Sequence, residues 1–158
     1  MTQDVLPSLD SGLTHLRSPD PRSTALHRLV VNELRERDGP VYWLDARNVA
    51  ATYALYELAP HDRLLDAVRV ARAFTAYQHH SLAREVVRTV SPRTAMVVAP
   101  NLGSLYADDD VPDYEQEDLF AATATLLGEV GETHDLPVLV TTDASDAALP
   151  PAVARSEE

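Results

Sequence analysis

The chain has 158 residues, enough for one compact domain with a hydrophobic core and too few for two. Asp and Glu total 25 against 13 basic residues, all of them arginine, so the formal charge is −12. This balance disfavours direct binding to DNA or to anionic lipid, because both need a basic surface. The absence of cysteine excludes disulfide bonds, thiolate metal ligands and cysteine nucleophiles.

The same composition predicts where the protein works. A surface rich in Asp and Glu and free of Lys suits a cytoplasm of molar salt, where screening limits like-charge repulsion to about 3 Å. It is typical of halophilic archaea; the alternative is an acidic protein from a GC-rich bacterium. No apolar run approaches the ~18 residues of a membrane span. The first sixteen residues also lack the basic residues of a secretory signal. We therefore expect a cytoplasmic protein that does not bind membranes.

The first half of the chain alternates between the apolar spacing of strands and that of helices. Ser23 or Thr24 is the predicted cap of the first helix, and Asp38-Gly39-Pro40 is its predicted end. In chain order we predict a strand over residues 13–16, a helix to about residue 37, a strand over 41–44, a short helix over 49–58 and a strand over about 68–74.

The second half continues the alternation. We predict a helix over residues 81–90, a strand over 95–99, an acidic loop over 107–113, a helix over 114–134 and a strand over 137–142. Strands separated by helices in this way favour a parallel sheet covered on both faces, which is an α/β fold. We expect a lead-in at 1–12, one domain over 13–143 and a flexible acidic tail over 144–158.

One stretch resembles a known family. Residues 65–74 read Leu-Asp-Ala-Val-Arg-Val-Ala-Arg-Ala-Phe, and Gln78-His79 follows soon after. This resembles the RecA/RadA recombinases, in which Leu-Asp-x-Val leads into Ala-Arg-Ala-Phe or Ala-Arg-Ala-Tyr and a His-Gln pair opens the next helix. Here the pair is inverted. Residues 41–45, 96–100 and 138–141 resemble, in order, the strand after the nucleotide-loop helix, the Walker B strand and the sensor strand. The resemblance implies a RecA-like, P-loop-type sandwich.

The nucleotide loop implied by this resemblance is degenerate. Residues 17–24, Arg-Ser-Pro-Asp-Pro-Arg-Ser-Thr, carry arginine at both glycine positions and Ser23 in place of the lysine. Two prolines remove backbone donors, and Asp20 repels phosphate. Thr24 alone matches, and as a helix cap it needs no catalytic role. Arg22, with Ser23 and Thr24, is the remaining weak candidate for binding an anion at a helix N-terminus.

The other ATPase positions implied by the resemblance are substituted too. The carboxylate that would orient water falls at Arg47, the Walker B aspartate at Pro100, and the Asn-Gln sensor at Thr142-Asp143. Losing all of these together removes each element that stabilises phosphoryl transfer. We therefore expect no catalytic residue, no cofactor and no ATPase activity.

The remaining candidate clusters are weak. The loop that contacts DNA in the recombinases corresponds to Asp108-Asp109-Asp110 and would repel a phosphate backbone. The adjacent His79 and His80 do not share a helix face, so they predict no metal site and a place at the surface or core edge. An arginine cluster is interpreted as solvated charges and ion pairs, and three tyrosines as core residues or a partner patch. These are Arg63, Arg69, Arg72, Arg84 and Arg88, and Tyr53, Tyr56 and Tyr77.

Together these observations predict a non-catalytic RecA-like protein that acts through protein contacts, as an accessory or regulator of a recombinase or a DNA-repair component. An active RecA/RadA-type ATPase is the expected partner, and homo-oligomers are also compatible with the sequence. Two alternatives stay open: a scaffold or regulatory protein outside recombination, and a nucleotide-sensing domain without hydrolysis.

Overall fold

A computed structural model describes residues 12–17, 25–36, 39–46, 66–103, 105–106, 111–142 and 156–157. Strands and helices alternate through most of these ranges. In chain order they are β1 (Gly12–Arg17), α1 (Ala25–Glu36), β2 (Val41–Ala46), β3 (Val68–Ala73), α2 (Ala76–Thr89), β4 (Met96–Ala99), α3 (Asp113–His134), β5 (Pro137–Thr142) and β6 (Ser156–Glu157).

The strands form one sheet in the order β3-β2-β4-β5-β1-β6. Every pairing among the described strands is parallel, and β1 lies between β5 and the two-residue β6. Parallel neighbours need crossover connections, which the helices supply where the chain is described. The predicted α/β class with a parallel sheet is confirmed.

Helices cover both faces of the sheet. The predicted apolar stripe of α1 is buried and packs against one face, where Trp43 and Met96 lie. Helices α2 and α3 pack against the other face, where Leu44 and Val97 lie. Successive strand residues point to opposite faces, which is why Trp43 and Leu44 belong to different layers. The stripe of α1 consists of Leu26, Leu29, Val30 and Leu34.

Helix α2 begins at Ala76, so the predicted start at residue 81 was wrong. The Thr75 hydroxyl accepts the backbone N–H of Gln78 at 3.1 Å, and the Gln78 side-chain oxygen accepts the N–H of Phe74 at 2.8 Å. These bonds satisfy amides that the first helical turn leaves free. The cap therefore starts the helix before its apolar stripe begins.

Helix α3 crosses close to the beginning of β1. A Cβ on Gly131 would lie 2.8 Å from the Cα of Gly12, so a side chain at this position would force the helix and strand apart. The helix ends at His134, and the next residue, Asp135, adopts a left-handed conformation with φ 54° and donates its N–H to the carbonyl of Gly131. Glycine at 131 thus lets α3 lie directly on the sheet.

Several predicted segments lie outside the described residues. These are the helix over 49–58, the acidic residues 107–110 and most of the tail. Within the predicted tail, Ser156–Glu157 forms β6 and pairs with His15 and Leu16 of β1. In the ranges given above, no helix is both long and apolar enough to cross a membrane.

Candidate functional site

The predicted anion candidates Arg22, Ser23 and Thr24 lie outside the described residues. The same is true of Arg47 and Asp143, two of the positions that the resemblance relates to ATP hydrolysis. The structure therefore gives the surroundings of the remaining positions, which lie at the carboxyl ends of the strands. In open α/β sheets this is the edge where ligands usually bind.

At the carboxyl ends of β4 and β5, backbone amides form hydrogen bonds with a neighbouring segment of the same chain. Asn101, in a left-handed conformation with φ 52°, donates its N–H to the Thr141 hydroxyl at 2.9 Å. Leu102 donates its N–H to the Thr141 carbonyl, also at 2.9 Å. Pro100, where the Walker B aspartate would stand, is buried and has no N–H. An anion site needs outward backbone donors, and these two amides are already used.

At the carboxyl end of β2, Asp45 is fully buried. Its carboxylate accepts the indole N–H of Trp43 at 3.3 Å and lies 3.6 Å from the Nε of Arg72, its register partner on β3. Arg72 was predicted to be a solvated charge or part of an ion pair, and it forms this pair while its side chain stays 42% exposed. The arrangement ties β2 to β3 by a cross-strand contact.

A polar network joins α2, α3 and the segment after β4 inside the protein. The Nδ1 of His79 lies 2.8 Å from the Tyr106 hydroxyl, which donates to the Thr123 hydroxyl at 2.9 Å. The Nδ1 of His80 lies 2.7 Å from the same Thr123 oxygen. Thr123 in turn donates to the carbonyl of Leu119 at 3.1 Å. His80 is thus hydrogen-bonded to Thr123 directly, whereas His79 is connected to it through Tyr106.

The bonds in this network determine where its protons lie. The single Thr123 hydroxyl proton goes to Leu119, so Thr123 can only accept from its other neighbours. The Tyr106 proton goes to Thr123, so the Nδ1 of His79 must donate to Tyr106. By the same reasoning the Nδ1 of His80 must donate to Thr123. In neutral His79 the other nitrogen, Nε2, is then an acceptor; it is buried and has no hydrogen-bond partner among the residues that the structure describes.

Burial controls the ionisation of these groups. Burial and, to a smaller extent, repulsion from His80 lower the pKa of His79 from 6.5 to about 4. Burial, then repulsion from Arg84, lowers the pKa of His80 as well. Burial raises the pKa of Tyr106 above its ordinary value, although its hydrogen bond to Thr123 acts in the opposite direction. Both histidine shifts favour the neutral imidazole.

The network is suited to holding α2, α3 and the segment after β4 together. His79 is fully buried, so the predicted place at the surface or core edge was wrong for it; His80 is half-buried. Among the residues that the structure describes, no three His, Asp or Glu side chains are close enough to hold a metal ion. Neither Tyr106 nor Thr123 was predicted as a site residue from the sequence. A signal existed for Thr123, which lies between Phe120 and Leu127 on the buried stripe of α3.

Apolar surface is exposed near β3, which is the edge strand of the sheet as described. Val70 on β3 is 38% exposed, Phe74 just beyond it 59%, and Tyr77 at the start of α2 43%. The Tyr77 hydroxyl donates to Glu115 at 3.1 Å, which brings α3 beside this region. Of the three tyrosines predicted as core or partner patch, Tyr77 is thus exposed, and the other two lie outside the described residues.

No protein-family model matches this sequence, and no curated protein matches it. The comparisons therefore supply neither a family nor a relative whose activity could be transferred to this chain. Three features of the structure bear on function. They are the carboxyl ends of β4 and β5, where the backbone amides are already hydrogen-bonded, the buried polar network, and the exposed apolar surface near β3.

Proposed function

We propose that the protein is a non-catalytic RecA-like domain of the cytoplasm that acts through protein contacts. It serves as an accessory or regulator of a recombinase or a DNA-repair component, and its partner is an active RecA/RadA-type ATPase. The proposal combines the resemblance at residues 65–74 with substituted nucleotide positions. A parallel α/β sheet with helices on both faces is the architecture that this resemblance implies.

The carboxyl edge of the sheet supports the absence of ATP hydrolysis. The backbone amides of Asn101 and Leu102 bond to Thr141 rather than pointing outward. Pro100 contributes neither a donor nor a carboxylate for Mg²⁺. A triphosphate at this edge would meet two occupied amides and no metal ligand at the Walker B position.

The exposed surface near β3 carries the proposal of a protein partner. An edge strand presents unpaired backbone groups on its outer side, and natural proteins usually protect such an edge with charge or a covering element. Here Arg69 and Arg72 supply charge, but Val70 and Phe74 leave apolar area in water. Burying a side chain as large as that of Phe74 contributes about 1–2 kcal/mol, and exposed aromatic residues are enriched where proteins bind each other.

Affinity purification from native cells at native salt, followed by mass spectrometry, tests the proposal. We expect the wild-type chain to retain an ATPase of DNA metabolism, and Phe74→Asp to lose it. Thr133→Asp is the matched control, because it adds the same charge at an exposed site near the far end of α3. Circular dichroism checks that all three proteins fold.

Recovery of no ATPase or DNA-metabolism protein by any of the three would contradict the proposal. Specific recovery of an unrelated protein that Phe74→Asp loses would instead favour the scaffold alternative. Equal recovery of an ATPase by wild type and Phe74→Asp would place the contact on another surface.

A further inference from the structure

A groove of about 600 Å³ lies between α2 and α3 on the solvent side of both helices. Its small-residue base comes from α3, where Ala121, Ala122 and Thr125 leave room for an approaching surface. The first of these is half-buried and the other two are exposed. No long side chain of the chain itself projects from these positions, so another molecule can approach the backbone of α3 closely.

The groove displays one charge of each sign. Arg84 lines it from α2 and Asp118 from α3, and both side chains belong to exposed residues. Within the described part of the chain neither has an ion-pair partner. Arg88, one turn further along α2, does have one, because it bonds to Glu85. The groove thus presents an unpaired guanidinium and an unpaired carboxylate on opposite walls.

A third polar group in the groove is held in a defined orientation. His80 lines the groove, and its Nδ1 is held by Thr123 at 2.7 Å. Its Nε2 has no partner in the described ranges and remains an acceptor. Because Thr123 is itself bonded to Tyr106 and Leu119, the His80 ring does not have to be ordered when a partner binds.

The charges of the two helices are complementary to each other. Helix α2 has two arginines and one glutamate, whereas α3 has six acidic residues and no arginine. A twofold axis that runs parallel to the two helices, along the groove, places α2 of one copy opposite α3 of the other. Each copy then offers its basic helix to the acidic helix of its partner. A surface with adjacent and opposite charges is therefore complementary to itself.

The size of this surface is sufficient for a specific contact. At 1.5 Å per residue, α2 and α3 are about 21 and 33 Å long, and packed helices lie about 10 Å apart. Together their outer faces present about 540 Å² per copy, or about 1,100 Å² for two copies. This is near the lower limit for specific protein interfaces.

We infer that a second copy of this chain binds at the groove between α2 and α3, in a twofold dimer in which Arg84 of each copy pairs with Asp118 of the other. This contact lies on a different surface from the β3 edge and does not depend on the partner proposed above. A dimer could accordingly form while the β3 edge of each copy stays free to bind that partner.

Charge exchange tests the pairing in sedimentation equilibrium at about 1 M KCl. Arg84→Asp places two like-charged pairs in the dimer, and so does Asp118→Arg. We expect each single variant to raise the dimer dissociation constant about tenfold, because it replaces two attractive charge pairs with two repulsive ones. An equimolar mixture of the two variants restores both opposite-charge pairs, so we expect it to dimerise within about threefold of wild type.

Two controls separate the pairing from a general effect of charge. Arg93→Asp and Asp66→Arg make the same changes of charge at exposed positions outside both helices. We expect both to dimerise like wild type, with circular dichroism confirming that every variant folds. A monomeric wild type at all concentrations would overturn the inference, as would unchanged association of the single variants. A mixture that stays monomeric while each variant is folded would overturn it as well.

Discussion

Replacing the buried histidine of the polar network should change how stability depends on pH. The perturbation is His79→Phe, which keeps an aromatic ring of similar size and removes both ring nitrogens. Tyr106 can still donate to Thr123 in this variant, so the rest of the network keeps its direction. The buried Nε2 atom, which has no hydrogen-bond partner in the described part of the chain, is removed.

The magnitude follows from the pKa of His79. Burial holds the folded pKa at about 4, below the ordinary value of 6.5, so the unfolded chain binds a proton first as the pH falls. The stability that neutral His79 provides is therefore fully present above pH 6.5 and is lost as the pH falls towards 4. At about 1.4 kcal/mol per pH unit, the wild type loses about 3 kcal/mol of unfolding free energy through this one group.

Urea unfolding at about 1 M KCl, at a series of pH values from about 7.5 to 4, measures this loss. Carboxylates also titrate towards the acid end, so the informative quantity is the difference between wild type and His79→Phe. We expect this difference to shift by about 3 kcal/mol in favour of the variant across the series. Thr123→Val is the control: it weakens the network but leaves His79 buried, so its pH dependence should follow that of wild type. Parallel curves for wild type and His79→Phe would refute the reasoning.

Other properties follow from the ion pair, the composition and the substituted nucleotide positions. Asp45→Ala removes the buried carboxylate that bonds to Trp43 and pairs with Arg72, so it should lower the unfolding free energy by about 2–3 kcal/mol. Arg88→Ala removes one partner of an exposed ion pair and should change the unfolding free energy by less than about 0.5 kcal/mol. Urea unfolding of both variants measures these changes. Because the chain carries a net charge of −12, its melting temperature should rise from dilute buffer to molar KCl, and an unchanged value would contradict the halophilic interpretation. Titration with ATP and Mg²⁺ at molar salt should give neither heat nor a shift in melting temperature, and a saturable signal in either would favour the nucleotide-sensing alternative.

Local pattern predicted much of the secondary structure. The apolar stripe of α1 is buried as expected, and β5 has the predicted bounds of Pro137–Thr142, because hydrophobic periodicity directly reports which side of an element meets the core. The start of α2 was missed because capping by Thr75 and Gln78 depends on two hydrogen bonds rather than on periodicity. The sequence by itself therefore determined the α/β class, the approximate elements and the strongly acidic charge.

Only the tertiary structure decided which distant residues meet. His79 and Tyr106 are 27 positions apart, and His80 and Thr123 are 43 apart, so no local spacing could predict their contact. The same holds for Arg84 and Asp118, which line one groove because α2 and α3 lie side by side on the sheet. Periodicity constrains the orientation of a side chain relative to its own element. The neighbours of that side chain depend on which strands and helices lie side by side, and this arrangement is set by the tertiary structure.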